Sequence, residues 1–296
     1  MIGLKEKIIV TDIDGTLAHR DRIPEEVVKS CELLRAKGWT MHVATGRILA
    51  AAVPHALTIK ALSPAIVYDG ARVMGIENGV VFNETKLSGD VLSLALDRLW
   101  DMPLMFQLFG DELVYCRPRD VKVAEYFRSI GIPVKEELLS PRVEGEYFRG
   151  IVYGPPPEIE KAGRALEKVL EGLATITMAG ESFLDILPPG VSKGSALDWY
   201  LGSLNHRPQV VVAVGDHLND CDLLDRADIA VSMEDAPPML QQKADIILPP
   251  ASEGGFRKLP EYLLDQGFVR DLMFSAHAPR KGRGLVPVEK NKKGHC

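Results

Sequence analysis

The chain has 296 residues, of which 46% are hydrophobic and 26% are charged, an ordinary composition for a globular protein. This composition excludes a largely disordered chain, a collagen-like fibre and a disulfide miniprotein, and no apolar run reaches the ~18 residues of a membrane-spanning helix. The net charge of −6 argues against broad nucleic-acid binding and is compatible with binding a cation.

The N-terminal part of the chain alternates between strand-like and helix-like segments. Lys7–Thr11 is a β-branched run typical of a strand, and residues 40–44 and 65–68 form similar short runs. A helix is predicted between the first two, because Pro24 and the acidic residues after it mark a start and Gly38 follows an end. This alternation indicates βαβ units and a parallel sheet.

The same alternation returns late in the chain. Residues 209–214 form a continuous apolar run, as expected of a central strand buried on both faces, and a helix is predicted at residues 219–226. Further short strands are predicted at residues 229–232 and 244–248. The sequence therefore predicts an α/β protein with a Rossmann-like core and a mostly parallel sheet.

The middle of the chain has a different pattern, which predicts an inserted α+β layer made of a helix, hairpin, helix, strand, helix and hairpin. The Pro-Pro-Gly sequence at 188–190 marks the return to the core. We therefore predict a discontinuous core domain over residues 1–83 and 188–268, an α+β cap domain over residues 84–187, and a basic tail over residues 269–296. The tail has seven basic and two acidic residues, and we expect a flexible end, with a membrane-surface or RNA anchor as the alternative.

The N-terminal segment lacks the features of a signal peptide, and the four cysteines form no CxxC pair. We therefore expect a cytoplasmic protein with reduced thiols and without a membrane or nucleic-acid partner. A monomer and a homodimer are both compatible with the sequence.

Four short polar segments each follow a predicted strand, at the edge of a parallel sheet where ligands bind. In the first, Asp12 and Asp14 alternate along an extended backbone, so both carboxylates can enter one site. Two neighbouring carboxylates repel one another unless a cation or a shared proton relieves the repulsion, and Mg²⁺ fits this need. The simpler alternative is a turn with two surface acids.

The other three segments add groups that suit a phosphate. Residues 45–47 offer a hydroxyl and backbone N–H groups before a helix, although capping is common there. Lys193 opens a helix, where the dipole disfavours a cation, so a carboxylate or a bound phosphate should compensate its charge. Residues 215–220 contain three side chains with hard oxygen atoms, and an N-cap role accounts for one of them. Together these groups are what phosphoryl transfer needs.

These four segments, in this order, resemble the motifs of the haloacid dehalogenase-like (HAD) superfamily of aspartate-dependent phosphatases. The stretch from Leu187 to Gly194 and the position of the insert resemble the Cof-like subfamily, which has a type IIB cap. The resemblance covers roughly residues 8–268. It departs from the family at Asp69, because relatives often carry Asn-Gly-Ala where this chain has Asp-Gly-Ala.

The resemblance implies a role for each matching residue. Asp12 would be the nucleophile that forms an aspartyl-phosphate, and Asp14 would protonate the leaving oxygen and then activate water. Mg²⁺ would be held by Asp12, the backbone carbonyl of Asp14, and Asp216. The phosphate-binding residues would be Thr45, Gly46, Lys193 and Asn219, with Gly15, Thr16, Arg47 and Asp220 in support.

The function implied by this resemblance is that of a Mg²⁺-dependent phosphatase for a small phosphorylated metabolite, such as a sugar phosphate or a cofactor-like phosphate. A phosphomutase or phosphotransferase on the same fold and a non-catalytic phosphate-binding module are the alternatives. The inserted domain would act as the lid, because few residues separate Leu17 from the first helix. Candidate substrate-selecting residues are Gln107, Arg142, Arg149, Glu181 and the turn at Gly180. His217 is either an ordinary loop histidine or a contact to substrate or metal-bound water.

Overall fold

The computed structural model of the protein describes residues 6–178, 181–265 and 267–270. The strands of this described part are β1 (Lys7–Thr11), β2 (Trp39–Val43), β3 (Ala65–Val67), β4 (Arg72–Met74), β5 (Val81–Glu84), β6 (Leu87–Ser88), β7 (Met105–Phe109), β8 (Val114–Cys116), β9 (Val134–Lys135), β10 (Glu146–Tyr147), β11 (Arg149–Tyr153), β12 (Thr175–Met178), β13 (Phe183–Leu187), β14 (Val210–Gly215), β15 (Ile229–Met233) and β16 (Ile246–Leu248). The α-helices are α1 (Glu25–Ala36), α2 (Leu49–Thr58), α3 (Gly89–Leu99), α4 (Val121–Ser129), α5 (Pro156–Val169), α6 (Lys193–Ser203), α7 (Cys221–Arg226), α8 (Pro238–Gln241) and α9 (Leu259–Leu263).

The central sheet is parallel and has the strand order β16-β15-β14-β1-β2. Strand β1 lies between β14 and β2, so its carboxyl end is in the middle of the sheet edge. Ile8 and Val10 pack into one hydrophobic cluster and Ile9 packs into another, so both faces of β1 are buried. Every residue of β14 is also buried, which is the environment that its continuous apolar sequence predicts. The predicted α/β core with a mostly parallel sheet is therefore confirmed.

The strand predicted at residues 65–68 is present as β3, but it begins a smaller sheet of its own. β3, β4 and β5 form an antiparallel sheet, and one parallel bridge between Ala44 and Ile66 joins it to the end of β2. The chain reverses after β3 because Tyr68, Asp69 and Gly70 all have positive φ angles. Strands β4 and β5 were not predicted from the sequence.

The inserted α+β layer has a six-stranded sheet with the order β12-β13-β11-β7-β8-β9. One face packs against α3 and α5, in a hydrophobic cluster that includes Phe106, Val152 and Leu184. The predicted hairpin is present as β7 and β8, and the predicted final strand pair is present as β12 and β13. Phe109 and Leu187 instead pack with the large cluster of the core, so this sheet covers the core with its other face.

Phe148, which lies between β10 and β11 of the cap, packs directly against the core. Its ring centroid is 4.8 Å from that of Tyr68, and the Cζ atom of Arg72 lies 4.1 Å from the Phe148 centroid. The turn between β7 and β8 docks beside this stack, where Arg72 donates to Asp111 (2.5 Å) and the backbone N–H of Glu112 donates to the Tyr68 hydroxyl (3.1 Å). An aromatic and charged contact therefore joins the cap to the core.

Strand β5 ends at Glu84 and α6 begins at Lys193, and the cap sheet lies between them in the chain. The domain limits at residues 83/84 and 187/188 remain predictions. The Ala179–Gly180 part of the last predicted turn and residues 271–296 of the predicted tail lie outside the described residues. In the part of the chain that the structure covers, no helix is both long enough and apolar enough to cross a membrane.

We predict that Phe148→Ala lowers the free energy of unfolding by about 3–5 kcal/mol, because it removes a buried ring and leaves a cavity between Tyr68 and Arg72. Urea denaturation of both proteins measures this difference. Leu139→Ala is the control, because Leu139 is 75% exposed and its truncation should change stability by no more than about 0.5 kcal/mol. Equal losses in the two variants would contradict the assigned role of Phe148.

Candidate active site

Strand β1 carries Asp12 into a buried position at the centre of the sheet edge. The backbone N–H of Asp12 donates to the carbonyl of Val214 on the neighbouring strand (2.9 Å), which continues the sheet one residue past β1. The Asp12 side chain is almost fully buried. Its carboxylate therefore lies at the ligand-binding edge of the sheet, away from bulk water.

Lys193 is the cation that compensates this buried carboxylate. It is the first residue of α6, and a capping box between Ser192 and Ser195 fixes the start of the helix. Its Nζ atom lies 3.0 Å from Oδ1 of Asp12 and 2.7 Å from Oδ1 of Asp220. The helix dipole disfavours the positive charge of Lys193, and these two carboxylates offset it. The sequence predicts that either a carboxylate or a bound phosphate compensates this charge.

The loop after β14 brings two more carboxylates to the same place. Oδ2 of Asp220 accepts the backbone N–H groups of Asp216 (3.0 Å) and His217 (3.1 Å), which holds the loop closed. Asp216 accepts a hydrogen bond from the Thr16 hydroxyl (2.8 Å). Gly15 is needed beside it, because its φ is +76° and a Cβ atom would overlap the Asp216 carboxylate.

Carboxylate oxygens of Asp12, Asp216 and Asp220 lie within 4.8 Å of one another. Burial raises the pKa of Asp216 to about 7, and the nearby charge of Asp220 adds to this effect. Burial also raises the pKa of Asp12 well above its ordinary value, although Lys193 opposes the shift. Carboxylate oxygens are the ligands that Mg²⁺ prefers, and a divalent cation would relieve this repulsion. The residues present therefore fit a divalent cation.

The side chain of Asp14 makes a different contact. Arg47 donates to both of its oxygens, from Nε to Oδ2 (2.7 Å) and from Nη2 to Oδ1 (2.5 Å). Arg47 also pairs with Asp21 (2.8 Å), so it ties the loop after β1 to the loop after β2. The Asp14 side chain is 57% exposed, and its carboxylate is held at the mouth of the site rather than within the acidic cluster.

The loop after β2 supplies a buried hydroxyl and a close backbone approach. Oγ1 of Thr45 accepts the backbone N–H of Arg47 (3.2 Å) and Thr45 is buried. A Cβ atom at Gly46 would lie 2.6 Å from Nη1 of Arg149 and 2.7 Å from Oδ2 of Asp69, so a larger residue would displace the ends of these two side chains.

Two buried acids beside Arg149 were not included in the site predicted from the sequence. Arg149 donates to Oδ1 of Asp185 from Nε (2.9 Å) and Nη2 (2.7 Å), and to the Gly46 carbonyl (2.7 Å) from Nη1. The same Nη1 lies 3.0 Å from Oδ2 of Asp69, whose Oδ1 accepts a hydrogen bond from Asn219 (2.9 Å). Asp185 could have been noticed as the single acid in the otherwise apolar strand FLDIL. Asp69 departs from the family pattern in the sequence, but the sequence does not show that Arg149 is its partner.

Of the other cap residues considered from the sequence, Gln107 is buried on β7, whereas Arg142 is exposed and pairs with Asp97 (3.3 Å). Glu181 is exposed and adjoins the part of the turn that lies outside the described residues. Nδ1 of His217 is buried and has no hydrogen-bond partner among the described residues. These contacts leave Arg149 as the candidate cap residue that reaches the loops of the core.

Residues 9–259 of this chain match the sequence profile of the family described as haloacid dehalogenase-like hydrolase. The HMP-PP phosphatase of Shigella flexneri serotype 5b (strain 8401) is 27% identical over 248 residues, which is 79% of this chain and 86% of that protein.

Solved structures show that the fold is shared. A haloacid dehalogenase-like hydrolase from Bacteroides thetaiotaomicron superposes with a TM-score of 0.74 at 21% identity, covering 88% of this chain and all of that one. The HAD subclass IIB sugar phosphatase BT4131 superposes with a TM-score of 0.73 at 20% identity, covering 87% of this chain and 98% of that one.

We predict that the metal-free protein loses stability as the pH rises from about 4 to about 7. The folded protein keeps a proton on Asp216 up to about pH 7, whereas the unfolded chain releases it near pH 4, so the folded state binds more protons in this range. The pKa of Asp216 lies about three units above its ordinary value, at about 1.4 kcal/mol per unit, so Asp216 should account for a loss of about 4 kcal/mol in the free energy of unfolding.

Urea denaturation in the presence of a chelator at pH 5 and pH 8 measures most of this loss, and Asp216→Asn is the comparison because asparagine cannot ionise. The variant should show a clearly flatter dependence on pH. An unchanged slope in the variant would contradict the assignment of the proton to Asp216.

Proposed function

Since this chain belongs to the family of haloacid dehalogenase-like hydrolases and is a phosphoric monoester hydrolase for small phosphate substrates, we propose that it works through an aspartyl-phosphate on Asp12 and requires Mg²⁺. The observation that carries this proposal is the position of Lys193, whose ammonium group lies between the carboxylates of Asp12 and Asp220. The substrate that we propose is a sugar phosphate or a cofactor-like phosphate.

Mg²⁺ would be held by Asp12, Asp216 and the backbone carbonyl of Asp14, with Asp220 beside them. When bound, it supplies positive charge to the oxygens of the phosphoryl group in transfer. Lys193 supplies a second positive charge from the protein itself, and it also stabilises the ionised form of Asp12 that attack requires.

In the first step, an oxygen of Asp12 attacks phosphorus and the bond from phosphorus to the leaving oxygen breaks. Asp14 gives its proton to the leaving oxygen once its pair with Arg47 has opened and the carboxyl group has taken up that proton, because a carboxylate that accepts from two guanidinium N–H groups is ionised. In the second step, Asp14 takes a proton from water as the water attacks phosphorus. The bond from phosphorus to Asp12 then breaks, and inorganic phosphate leaves with both aspartates restored.

The phosphoryl oxygens would be held by Lys193, the Thr45 hydroxyl, the backbone N–H of Gly46 and the Asn219 amide. Two members of this set contact the same residue: Lys193 lies 3.9 Å from Asp69, and Asn219 donates a hydrogen bond to Asp69. This shared partner supports placing Lys193 and Asn219 in one site. The cap closes over these groups through Arg149, which donates to the Gly46 carbonyl. A closed cap excludes water from the first step.

We predict that the protein releases inorganic phosphate from members of a panel of monophosphates with Mg²⁺ and not with a chelator. Asp12→Asn should lower the rate at least about 10³-fold, because it removes the nucleophile without changing the size of the side chain. The control is Glu160→Gln, an acid-to-amide change in an exposed residue that pairs with Arg164 on α5, which should leave the rate unchanged.

The covalent step has its own readout. Rapid acid quenching during turnover should increase the mass of the wild-type protein by one phosphoryl group, and Asp12→Asn should show no such species. Hydrolysis that persists in Asp12→Asn would contradict the proposed nucleophile. Transfer of phosphate to a second substrate hydroxyl, with little free phosphate released, would indicate a phosphomutase instead.

A further inference from the structure

A cavity of about 260 Å³ lies beside Lys193, between the core and the cap. Strand β12 of the cap contributes one wall with Thr175 and Thr177, and the start of α6 and the loop after β14 contribute the other walls. Asp69 and Asn219 also line it, so the cavity adjoins the groups that we propose to hold phosphate. Its volume is at the small end of ligand pockets, which suits the leaving group of a small monoester.

Among the described residues that line this cavity, Lys193 is the one cationic side chain. Lys193 is already paired, because its Nζ atom lies within 3.0 Å of Asp12 and of Asp220, and its remaining donor is the one that we propose for the phosphate in transfer. The lining also contains two carboxylates, those of Asp69 and Asp222. Within the described lining of the cavity, no unpaired cation is therefore available to a second anionic group.

The arginines that contact these two carboxylates are engaged as well. Arg149 is bound to Asp185 and Asp69 and is itself buried. Arg226 pairs with Asp222 and donates to Asp198 (2.5 Å). A second anionic group that bound Arg149 would have to break its buried pair with Asp69 or Asp185, and a broken buried pair leaves an uncompensated charge.

The polar groups that remain in the wall suit hydroxyl groups. The Thr177 side chain is half-buried and has no hydrogen-bond partner among the described residues. Thr175 accepts the backbone N–H of Gly190 (2.9 Å), which leaves its own proton available to an acceptor on the ligand. Leu187, Val191 and Leu218 supply apolar contacts.

We propose that this cavity selects monophosphates with a small, uncharged, hydroxyl-bearing leaving group and rejects compounds that carry a second phosphate. This inference rests on the proposed function, because it assumes that the phosphate in transfer occupies the site at Asp12. The cause of the rejection is that Asp69, which lines the cavity, pairs with Arg149, so this arginine is not available to a second phosphate.

The test compares a hexose 6-phosphate with the corresponding hexose 1,6-bisphosphate at constant ionic strength, in the presence of Mg²⁺. We expect kcat/KM for phosphate release to be at least about tenfold higher for the monophosphate, as like charges in a partly buried site repel strongly. Asp69→Asn should shift the ratio toward the bisphosphate by about tenfold, since it removes one negative charge and frees Arg149 from one partner. Glu160→Gln, which removes an exposed carboxylate that pairs with Arg164 on α5, should leave the ratio unchanged.

A second variant tests the cavity wall itself. Thr177→Lys places an ammonium group on β12 and should also shift the ratio toward the bisphosphate. Calorimetric binding of both compounds to the Asp12→Asn protein with Mg²⁺ gives a readout that does not depend on turnover, and there the monophosphate should bind at least about tenfold more tightly.

Equal or reversed preference for the bisphosphate in both rate and binding would overturn the inference. So would an unchanged ratio in Asp69→Asn and Thr177→Lys together. The proposed function fails in a different way, by the absence of phosphate release from every monoester. In that case, a tenfold binding preference for the monophosphate would still support the inference.

Discussion

The contact on which the site depends is the ion pair of Lys193 with Asp12 and Asp220. Three carboxylates lie close together at a buried sheet edge, and their mutual repulsion makes such an arrangement costly without positive charge. Lys193 supplies that charge from the first turn of α6, a position that the helix dipole alone would not favour. The pair therefore meets the structural need for a cation and, in the mechanism that we propose, also keeps Asp12 ionised for attack.

The cap reaches this centre through a second set of charges. Arg149 crosses from the cap sheet to the Gly46 carbonyl and the Asp69 carboxylate, while Asp185 holds it from the cap side. Phe148, the neighbouring residue, packs on Tyr68 in the core. Two consecutive residues, Phe148 and Arg149, therefore dock the cap on the loops that we propose to bind phosphate. The same contacts place Asp69 in the lining of the cavity that we propose for the leaving group.

Much of this arrangement could be predicted from the sequence, because parallel strands bring distant motifs to one edge. Asp12, Lys193 and Asp216 lie far apart in the chain, yet each follows a strand or opens a helix at that edge, and the structure brings them together. The reversal at Tyr68–Gly70 and strands β4 and β5 could not be predicted, since the reversal depends on positive φ angles at three consecutive residues and the two strands follow from it. The Arg149 contacts were also beyond prediction, because they join residues 103 positions apart through domain docking and no local pattern encodes docking.

The most direct measurement of the central claim is a crystal structure with Mg²⁺ and trifluoroberyllate, which mimics a phosphoryl group bound to a carboxylate. The account predicts beryllium bonded to an Asp12 oxygen, a fluorine atom within hydrogen-bond distance of the Lys193 ammonium group, and Mg²⁺ about 2.0–2.1 Å from an Asp216 oxygen. Beryllium on another carboxylate, or Mg²⁺ bound away from Asp12 and Asp216, would contradict it.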